Sequence, residues 1–267
     1  MVFDFIHIDE TDSTNRWLRE HGDAERQQVV WADWQSAGRG CGTNTWEGER
    51  GKNLLFSMLI HPRELKANQQ FRISMAISVA IVRALTSHLS LLTSRLTPLT
   101  SHHSPLTTHL SIKWPNDIYW RDRKLGGILI ESRLSGDIVR DSIIGVGLNV
   151  NQAQFFSDAP NPVSLCQITG REHDREALLR SVAGHFALDV DAEDYRALLY
   201  RRHGFHPYRD AEGDFEAELL TVEDDGRGMP VDINKEYGLS GVEIIAESGA
   251  AIDVESADKV FITLARS

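Results

Sequence analysis

The residues with the clearest chemical potential lie in the middle of the chain, inside an apolar, strand-like stretch. Lys113 opens the string Lys-Trp-Pro-Asn-Asp, which ends at Asp117, and Lys124 follows just before the glycine pair Gly126 and Gly127. A lysine among tryptophan and isoleucine needs a partner, because an unpaired charge is costly to bury. A lysine beside a glycine suits a bound carboxylate or phosphate, since a ligand can approach the glycine backbone closely. Taken alone, the same residues also fit a β-hairpin with solvated lysines.

A second polar segment, Asp12-Ser13-Thr14-Asn15, is predicted at a turn from a strand to a helix. Its short hydroxyl and amide side chains can hydrogen-bond a polar, uncharged group of a ligand. Capping of the helix N-terminus would by itself justify serine or threonine at such a turn. The segment therefore indicates either a ligand contact or a helix cap.

Two glycine-containing segments complete the pattern. In the first, Gly38 and Gly40 flank Arg39, so backbone amides could reach an anion while the guanidinium closes over it. Flexible linkers share this composition. In the second, Gly145 and Gly147 interrupt a predicted buried strand and indicate close approach of a ligand or of a neighbouring helix. Tight packing explains the strand glycines equally well.

Together, and in this order, the four segments resemble the biotin protein ligases, which activate biotin with ATP and attach it to a carrier protein. The resemblance runs from about residue 5 to about residue 210, and the Lys-Trp-Pro-Asn-Asp string is its most specific part. It implies an α+β fold, a mixed β-sheet with flanking helices as in class II synthetase-like biotin ligase catalytic domains, followed by a small β-rich domain. The implied partner is a biotin carboxyl carrier protein or the corresponding domain of a biotin-dependent carboxylase.

The resemblance also implies roles for individual residues. The implied catalytic residues carry the charges: Lys124, Arg39, Lys113 and Asp117. The implied biotin-binding residues are Ser13, Thr14, Asn15, Gln35, Gly38, Arg39, Trp46, Gly127 and Gly145. The implied contacts to ATP and the adenylate are Arg39, Lys124, Asn116, Gly147 and Asn149. Magnesium is implied with ATP, but we predict no protein ligand for the metal.

The chain divides by composition into three parts. We expect a catalytic domain over residues 1–209, a low-complexity insertion of Ser, Thr, Leu and His over residues 86–111, and a divergent β-rich domain over residues 210–267. The insertion is predicted to be a mobile loop rather than a metal site, although it carries His88, His102, His103 and His109. Predicted strands cover residues 3–8, 29–34, 53–60, 112–120, 127–134, 141–149, 215–222 and 260–264. Predicted helices cover residues 15–21, 71–85, 175–189 and 193–202.

Bulk properties argue against several classes of protein. The net charge of −11 over 267 residues disfavours a general nucleic-acid or anionic-membrane surface. The two cysteines, Cys41 and Cys166, provide neither a disulfide framework nor a metal-ligand spacing. We expect no membrane span, a cytoplasmic location and, since Ser13 lies so near the start, a monofunctional ligase without an upstream DNA-binding module.

One position departs from the pattern of the family. Cys41 stands where many biotin protein ligases carry a second arginine in the glycine-rich loop, so we expect faster release of the adenylate. Two alternatives stay open. One is a lipoate or octanoate ligase or transferase of the same superfamily, and the other is a protein that binds biotinyl-adenylate but transfers it poorly.

Overall fold

The computed structural model describes residues 1–40, 44–94, 109–156, 161–209, 214–221, 238–239 and 242–246. Its first half contains β1 (Asp4–Thr11), α1 (Thr14–His21), β2 (Gln28–Gln35), β3 (Leu54–Ile60), a 3₁₀ turn (Ala67–Gln69) and α2 (Phe71–Ser94). The strands β4 (Leu110–Lys113), β5 (Asp117–Trp120), β6 (Arg123–Ser135) and β7 (Ile138–Leu148) follow. The remainder comprises α3 (Leu165–Thr169), α4 (Arg175–His185), α5 (Ala192–Ala197), β8 (His206–Arg209), β9 (Asp214–Thr221), β10 (Gly238–Leu239) and β11 (Val242–Ala246).

Seven strands form one mixed sheet in the order β1-β2-β3-β7-β6-β5-β4. β1 and β2 are parallel, and the other neighbours are antiparallel. Every residue of β3 is buried, because helices cover both faces of the sheet there. The α+β fold with a mixed sheet and flanking helices is therefore confirmed.

The two faces of the sheet bury different helices. Helix α2 contributes to the main core, together with residues of α4 and α5. Helix α1 covers a smaller cluster on the sheet, in which Leu18 packs against Val30, Leu59 and Ile143. Since side chains alternate across a strand, Ser57 of β3 and Gly145 of β7 share the face that α1 covers. This placement brings the polar start of α1 over the middle of the sheet.

Helix α2 is longer than the sequence predicts. Residues 86–94, assigned to the insertion, continue the helix, so the predicted boundary at residue 86 is wrong. Between Phe71 and Pro98 the sequence has no glycine or proline, and Leu89 is fully buried, so nothing ends the helix earlier. Residues 110–111 begin β4, while residues 95–108 lie outside the described part of the chain.

The same helix is apolar enough to raise the question of a membrane. The stretch Ala67–Leu92 could cross a bilayer by length and composition, but 61% of its apolar window is buried inside the structure. Burial of this extent is typical of a core helix.

The predicted strand over residues 112–120 is in fact two strands. β4 and β5 pair antiparallel around a turn over residues 114–116, and β5 then pairs with β6. Pro115 lies in that turn, where the lack of an N–H donor does not interrupt a ladder. The expected hairpin is thus a three-stranded meander, and it places Lys113 opposite Asp117.

A second, four-stranded antiparallel sheet follows in the order β10-β11-β9-β8. β9 coincides with the predicted strand over residues 215–222, whereas the strand predicted over residues 260–264 lies outside the described residues. The helices α4 and α5 end earlier than predicted, at His185 and Ala197.

Candidate functional site

The turn between β1 and α1 is buried and polar. Ser13, Thr14 and Asn15 are all at most 5% exposed. Ser13 occupies the N-cap position of α1 with an extended backbone, but its side chain makes no capping hydrogen bond. Helix capping therefore does not explain the hydroxyl of Ser13, which leaves a ligand contact as the remaining interpretation.

Gln35, at the end of β2, faces this turn. The backbone N–H of Thr14 donates to Oε1 of Gln35 at 2.7 Å, and the Thr14 hydroxyl oxygen lies 3.0 Å from the same atom. The N–H fixes the orientation of the amide, because only the carbonyl oxygen can accept it. Nε2 of Gln35 is directed elsewhere, and a Cβ added at Gly38 would lie 3.4 Å from it.

Two residues that the sequence did not single out complete the polar network. Ser57 is fully buried in β3, and its Oγ lies 2.7 Å from Oγ1 of Thr14 and 2.6 Å from Oδ1 of Asn15. Glu131 of β6 accepts a hydrogen bond from Nδ2 of Asn15 at 2.8 Å. The signals were a lone hydroxyl in the apolar run Leu54–Ile60 and a carboxylate directly after the apolar residues 128–130.

Glu131 also joins the helix to the glycine-rich loop. Its Oε1 is 2.7 Å from Nη2 of Arg19 and 3.1 Å from Nη1 of Arg39. Burial would raise the pKa of the Glu131 carboxyl, but the hydrogen bonds from Asn15 and Arg19 and the charges of Arg19 and Arg39 outweigh it and lower that pKa. Glu131 is therefore ionised at neutral pH and acts only as an acceptor.

The two strand glycines make room for specific side chains. A Cβ added at Gly145 would lie 2.2 Å from Oδ1 of Asn15, and one at Gly147 would lie 2.3 Å from Cε2 of Trp46. The close approach indicated by the sequence is thus made by α1 and by an indole ring. Nε1 of Trp46 is buried without a hydrogen-bond partner among the described residues.

The charged residues of the β4–β6 meander meet beside Trp46. Nζ of Lys124 is 2.7 Å from Oδ1 of Asp117 and 5.9 Å from the centre of the Trp46 ring. Gly127 lies between Trp46 and Asp117, because a Cβ there would be 3.1 Å from the indole and 3.4 Å from Oδ1 of Asp117. The backbone of Lys124 is held by hydrogen bonds to Asn161 and Val163.

Lys113 lies on the same meander and is also partly buried. Its Nζ lies 3.4 Å from the hydroxyl of Tyr119 and 5.3 Å from the centre of that ring. Burial lowers the pKa of the Lys113 ammonium; Asp117 opposes the shift, and the positive charges of Lys124 and Arg201 reinforce it. The meander therefore carries more positive than negative charge around Lys113, which suits an anionic ligand.

The two asparagines predicted to contact the adenylate bind backbone carbonyls. Nδ2 of Asn116 donates to the carbonyl of Ile128 at 2.7 Å, and Nδ2 of Asn149 donates to that of Val163 at 3.2 Å. Both side chains brace neighbouring segments of the site. A contact to adenosine stays a prediction for each.

Contacts join the predicted residues into one continuous site. The path runs from Thr14 through Gln35 and Gly38 to Trp46 and on to Lys124 and Asp117. The backbone N–H of Trp46 donates to the carbonyl of Gly38 at 2.9 Å, which joins the two arms of the glycine-rich loop. Cys41 lies outside the described residues, so the effect of the missing second arginine stays a prediction.

Possible metal ligands also occur elsewhere among the described residues. His88 of α2 is 2.9 Å from His173, while His109 packs against Trp120. His102 and His103 lie outside the described residues.

His7, Asp9 and Asp33 carry ligand atoms within 4.8 Å of one another. Oδ1 of Asp33, however, is 2.7 Å from Nη2 of Arg175, and the ring of His7 is stacked on Trp31. These partners explain the arrangement without a metal.

Comparison with known proteins agrees with this geometry. A model of the biotin/lipoate A/B protein ligase family matches residues 6–149. The chain therefore belongs to that family. Within it, the chain is similar to the bifunctional ligase/repressor BirA of Bacillus spizizenii, with 28% identity over 243 residues that cover 83% of this chain and 67% of that protein.

Further relatives point in the same direction. The biotin–[acetyl-CoA-carboxylase] ligase of Mycobacterium tuberculosis is 29% identical over 201 residues, which cover 73% of this chain and 68% of that protein. The biotin protein ligase from Aquifex aeolicus, solved in complex with biotin and ATP, shares the fold with a TM-score of 0.65 at 23% identity. That match covers 91% of this chain and 98% of the solved one.

Proposed function

We propose that this protein is a biotin–protein ligase, which activates biotin with ATP to biotinyl-5'-AMP and transfers biotin to a lysine of a carrier protein. The observation that carries the proposal is that a cluster of neutral polar side chains continues across Trp46 into the cationic meander. This cluster, called the pocket below, consists of Ser13, Thr14, Asn15 and Gln35. The pocket supplies donors and acceptors for an uncharged ring, and the meander supplies charge for a carboxylate and a phosphate. Family membership and the similarity to named biotin ligases support it.

The ureido ring of biotin is assigned to the pocket at the start of α1. Nε2 of Gln35 points away from Thr14 and can donate to the ureido carbonyl, and the uncapped hydroxyl of Ser13 offers a further contact. Asn15 supports this turn over Gly145. The carboxylate end of biotin then reaches Gly38 and Arg39, with Trp46 and Gly127 forming the wall of the site.

The first chemical step brings two anions together. A carboxylate oxygen of biotin attacks the α-phosphorus of ATP, and the bond to the bridging oxygen breaks so that pyrophosphate leaves. Lys124 and Arg39 are assigned to the developing negative charge, with Lys113 behind them. Asp117, the carboxylate beside Lys124, is already ion-paired and is not assigned as a metal ligand. Magnesium would therefore be carried by the ATP phosphates, whose charge it would neutralise when bound.

The second step is acyl transfer. The amine of a carrier lysine attacks the acyl carbon of biotinyl-adenylate, loses a proton and expels AMP. Asp117 is assigned to orient that amine or accept its proton, and it also holds Lys124. If Asp117→Asn transferred biotin from preformed adenylate as fast as the wild type, this role for Asp117 would be wrong. The acceptor is expected to be a biotin carboxyl carrier protein or domain, reached in the cytoplasm.

The test is pyrophosphate release from ATP and magnesium in the presence of biotin, of lipoate, or of no acid, repeated with an apo carrier domain. Biotin-dependent release followed by labelling of the carrier lysine is the expected result. Release that depends on lipoate would identify the lipoate or octanoate alternative. Biotin-dependent release without labelling would identify an adenylate-binding protein that transfers poorly.

A further inference from the structure

The hydrogen-bond network beneath the pocket has fewer protons than contacts. Three oxygen–oxygen contacts run in series from Asn15 to Gln35, through the hydroxyls of Ser57 and Thr14, at 2.6, 2.7 and 3.0 Å. Each contact needs one proton to be a hydrogen bond. The amide oxygens of Asn15 and Gln35 bring none, and the two hydroxyls bring one each. One of the three contacts therefore has no proton.

The orientations of the two amides cannot relieve this shortage. Gln35 must present its oxygen, because Oε1 accepts the backbone N–H of Thr14 at 2.7 Å. Asn15 must present its oxygen to Ser57, because its Nδ2 donates to the carboxylate of Glu131 at 2.8 Å. If the amide of Asn15 were reversed, its N–H would complete the series, but its oxygen would face an ionised carboxylate.

Because hydroxyl protons rotate, the shortage can move to the pocket end of the series. The two shorter contacts are satisfied when Ser57 donates to Asn15 and Thr14 donates to Ser57. The contact of 3.0 Å between Oγ1 of Thr14 and Oε1 of Gln35 is then left with lone pairs on both sides. Gln35 is partly exposed, so a ligand that carries an N–H group can supply the missing donor there.

We propose that Glu131 is a positioning residue. It fixes the orientation of the Asn15 amide, which leaves one contact of the series without a proton, so that the pocket selects a ligand with a ring N–H group. The inference rests on the proposed function and deepens it, since the ureido ring of biotin carries N–H groups whereas a lipoyl or octanoyl chain carries none. Glu131 acts through Asn15, Ser57 and Thr14 and does not touch the ligand. A site with an unmatched acceptor rejects a ligand that lacks the donor.

The test compares the binding of biotin with that of its cyclic carbonate analogue, in which ring oxygens replace both ureido N–H groups. Both ligands carry the same carboxylate, so any effect of a substitution on Arg39 cancels in the ratio of their dissociation constants. Calorimetry without ATP measures this ratio in the wild type, in Glu131→Gln and in Ser57→Ala. Glu20→Gln is the matched control, because it removes the same charge from α1 at an exposed position bonded to Arg16.

In Glu131→Gln, the oxygen of the new side-chain amide can accept from Arg19 and Arg39, and its N–H can donate to Oδ1 of Asn15. The amide of Asn15 can then turn over, so that its N–H donates to Ser57 and every contact of the series has a proton. Preference for biotin over the carbonate should fall by about tenfold or more. Ser57→Ala should lower the preference similarly, because the hydroxyl of Thr14 is then free to donate to Gln35. If Glu131→Gln does not fold, Ser57→Ala alone tests the proposed series of contacts.

The control should keep the wild-type ratio. Unchanged ratios in both test variants, or an equal fall in Glu20→Gln, would overturn the role of Glu131. A wild-type protein that binds no biotin would instead overturn the proposed function, so the two failures are distinguishable.

Discussion

Gly145 is the position where a single methyl group should disturb the site most directly. In Gly145→Ala, the added Cβ would lie 2.2 Å from Oδ1 of Asn15 and 2.9 Å from its Cγ. Asn15 must recede by about 1 Å to restore a normal contact. It is almost fully buried and held by Ser57 and Glu131 at 2.6 and 2.8 Å, so receding breaks one or both hydrogen bonds.

The magnitude follows from the bonds at risk. A neutral hydrogen bond contributes about 1 kcal/mol and one to a charged group roughly 1.5–3 kcal/mol, so Gly145→Ala should lower the free energy of unfolding by about 2–4 kcal/mol. Biotin affinity should fall by at least about tenfold, because Thr14 and Gln35 depend on the same network. Urea unfolding and calorimetry measure the two effects.

Gly184 provides a matched control on helix α4. A Cβ added there meets nothing within 4 Å, so Gly184→Ala should stabilise the helix by about 0.5–1 kcal/mol and leave biotin binding unchanged. If Gly145→Ala unfolded within about 0.5 kcal/mol of the wild type and bound biotin normally, the close approach of Asn15 would not matter as argued.

Three further predictions concern other parts of the protein. Lys124→Met should slow single-turnover pyrophosphate release by about 10²–10³-fold, because one cation at a developing charge contributes roughly 3–4 kcal/mol; an equal effect of the exposed Lys66→Met would contradict this. Ser164→Ala removes the acceptor of the Gln167 N–H at the start of α3 and should lower stability in urea by about 1 kcal/mol, unlike Ser135→Ala. Burial would raise the pKa of Asp141, but two arginines outweigh it and lower that pKa, so stability should fall as pH drops below 3.8; thermal unfolding of Asp141→Asn should lack this loss.

Local signals explain which parts of the fold the sequence could predict. Alternation and apolar runs placed most strands of the main sheet, and the polar turn before α1 was correctly located. Gly145 and Gly147 were identified as positions of close approach, and that much is confirmed. Their neighbours could not be deduced, because Asn15 and Trp46 reach them only through the tertiary packing of α1 and of the glycine-rich loop.

Ser57 and Glu131 show what local patterns miss. Pairing of β3 with β7 sets Ser57 opposite Gly145, and pairing of β7 with β6 sets Gly145 opposite Leu129. Ser57 and Glu131 therefore flank Asn15, although each is remote from it in the chain. A buried serine or a carboxylate on a strand has no periodic signal of its own, so only the strand register assigns it to the site.

Lys113 leads to the last prediction, on the cost of keeping a charge in this site. Its ammonium is partly buried near Tyr119, and the neighbouring carboxylate of Asp117 is already paired with Lys124. Burial lowers the pKa of Lys113 below its usual 10.5, so the unfolded chain binds this proton more tightly than the folded one. Stability should therefore rise with pH up to about 10.5.

Lys113→Met should remove that dependence on pH. At neutral pH the variant should be more stable than the wild type by roughly 1 kcal/mol or more, since an apolar side chain of similar length replaces a poorly paired buried charge. The difference should shrink as the pH approaches 10.5, and biotin-dependent pyrophosphate release should slow. A gain in stability with a loss of activity would mean that the charge is kept for the reaction. A less stable variant at neutral pH would mean that Lys113 is held by its neighbours and serves the fold.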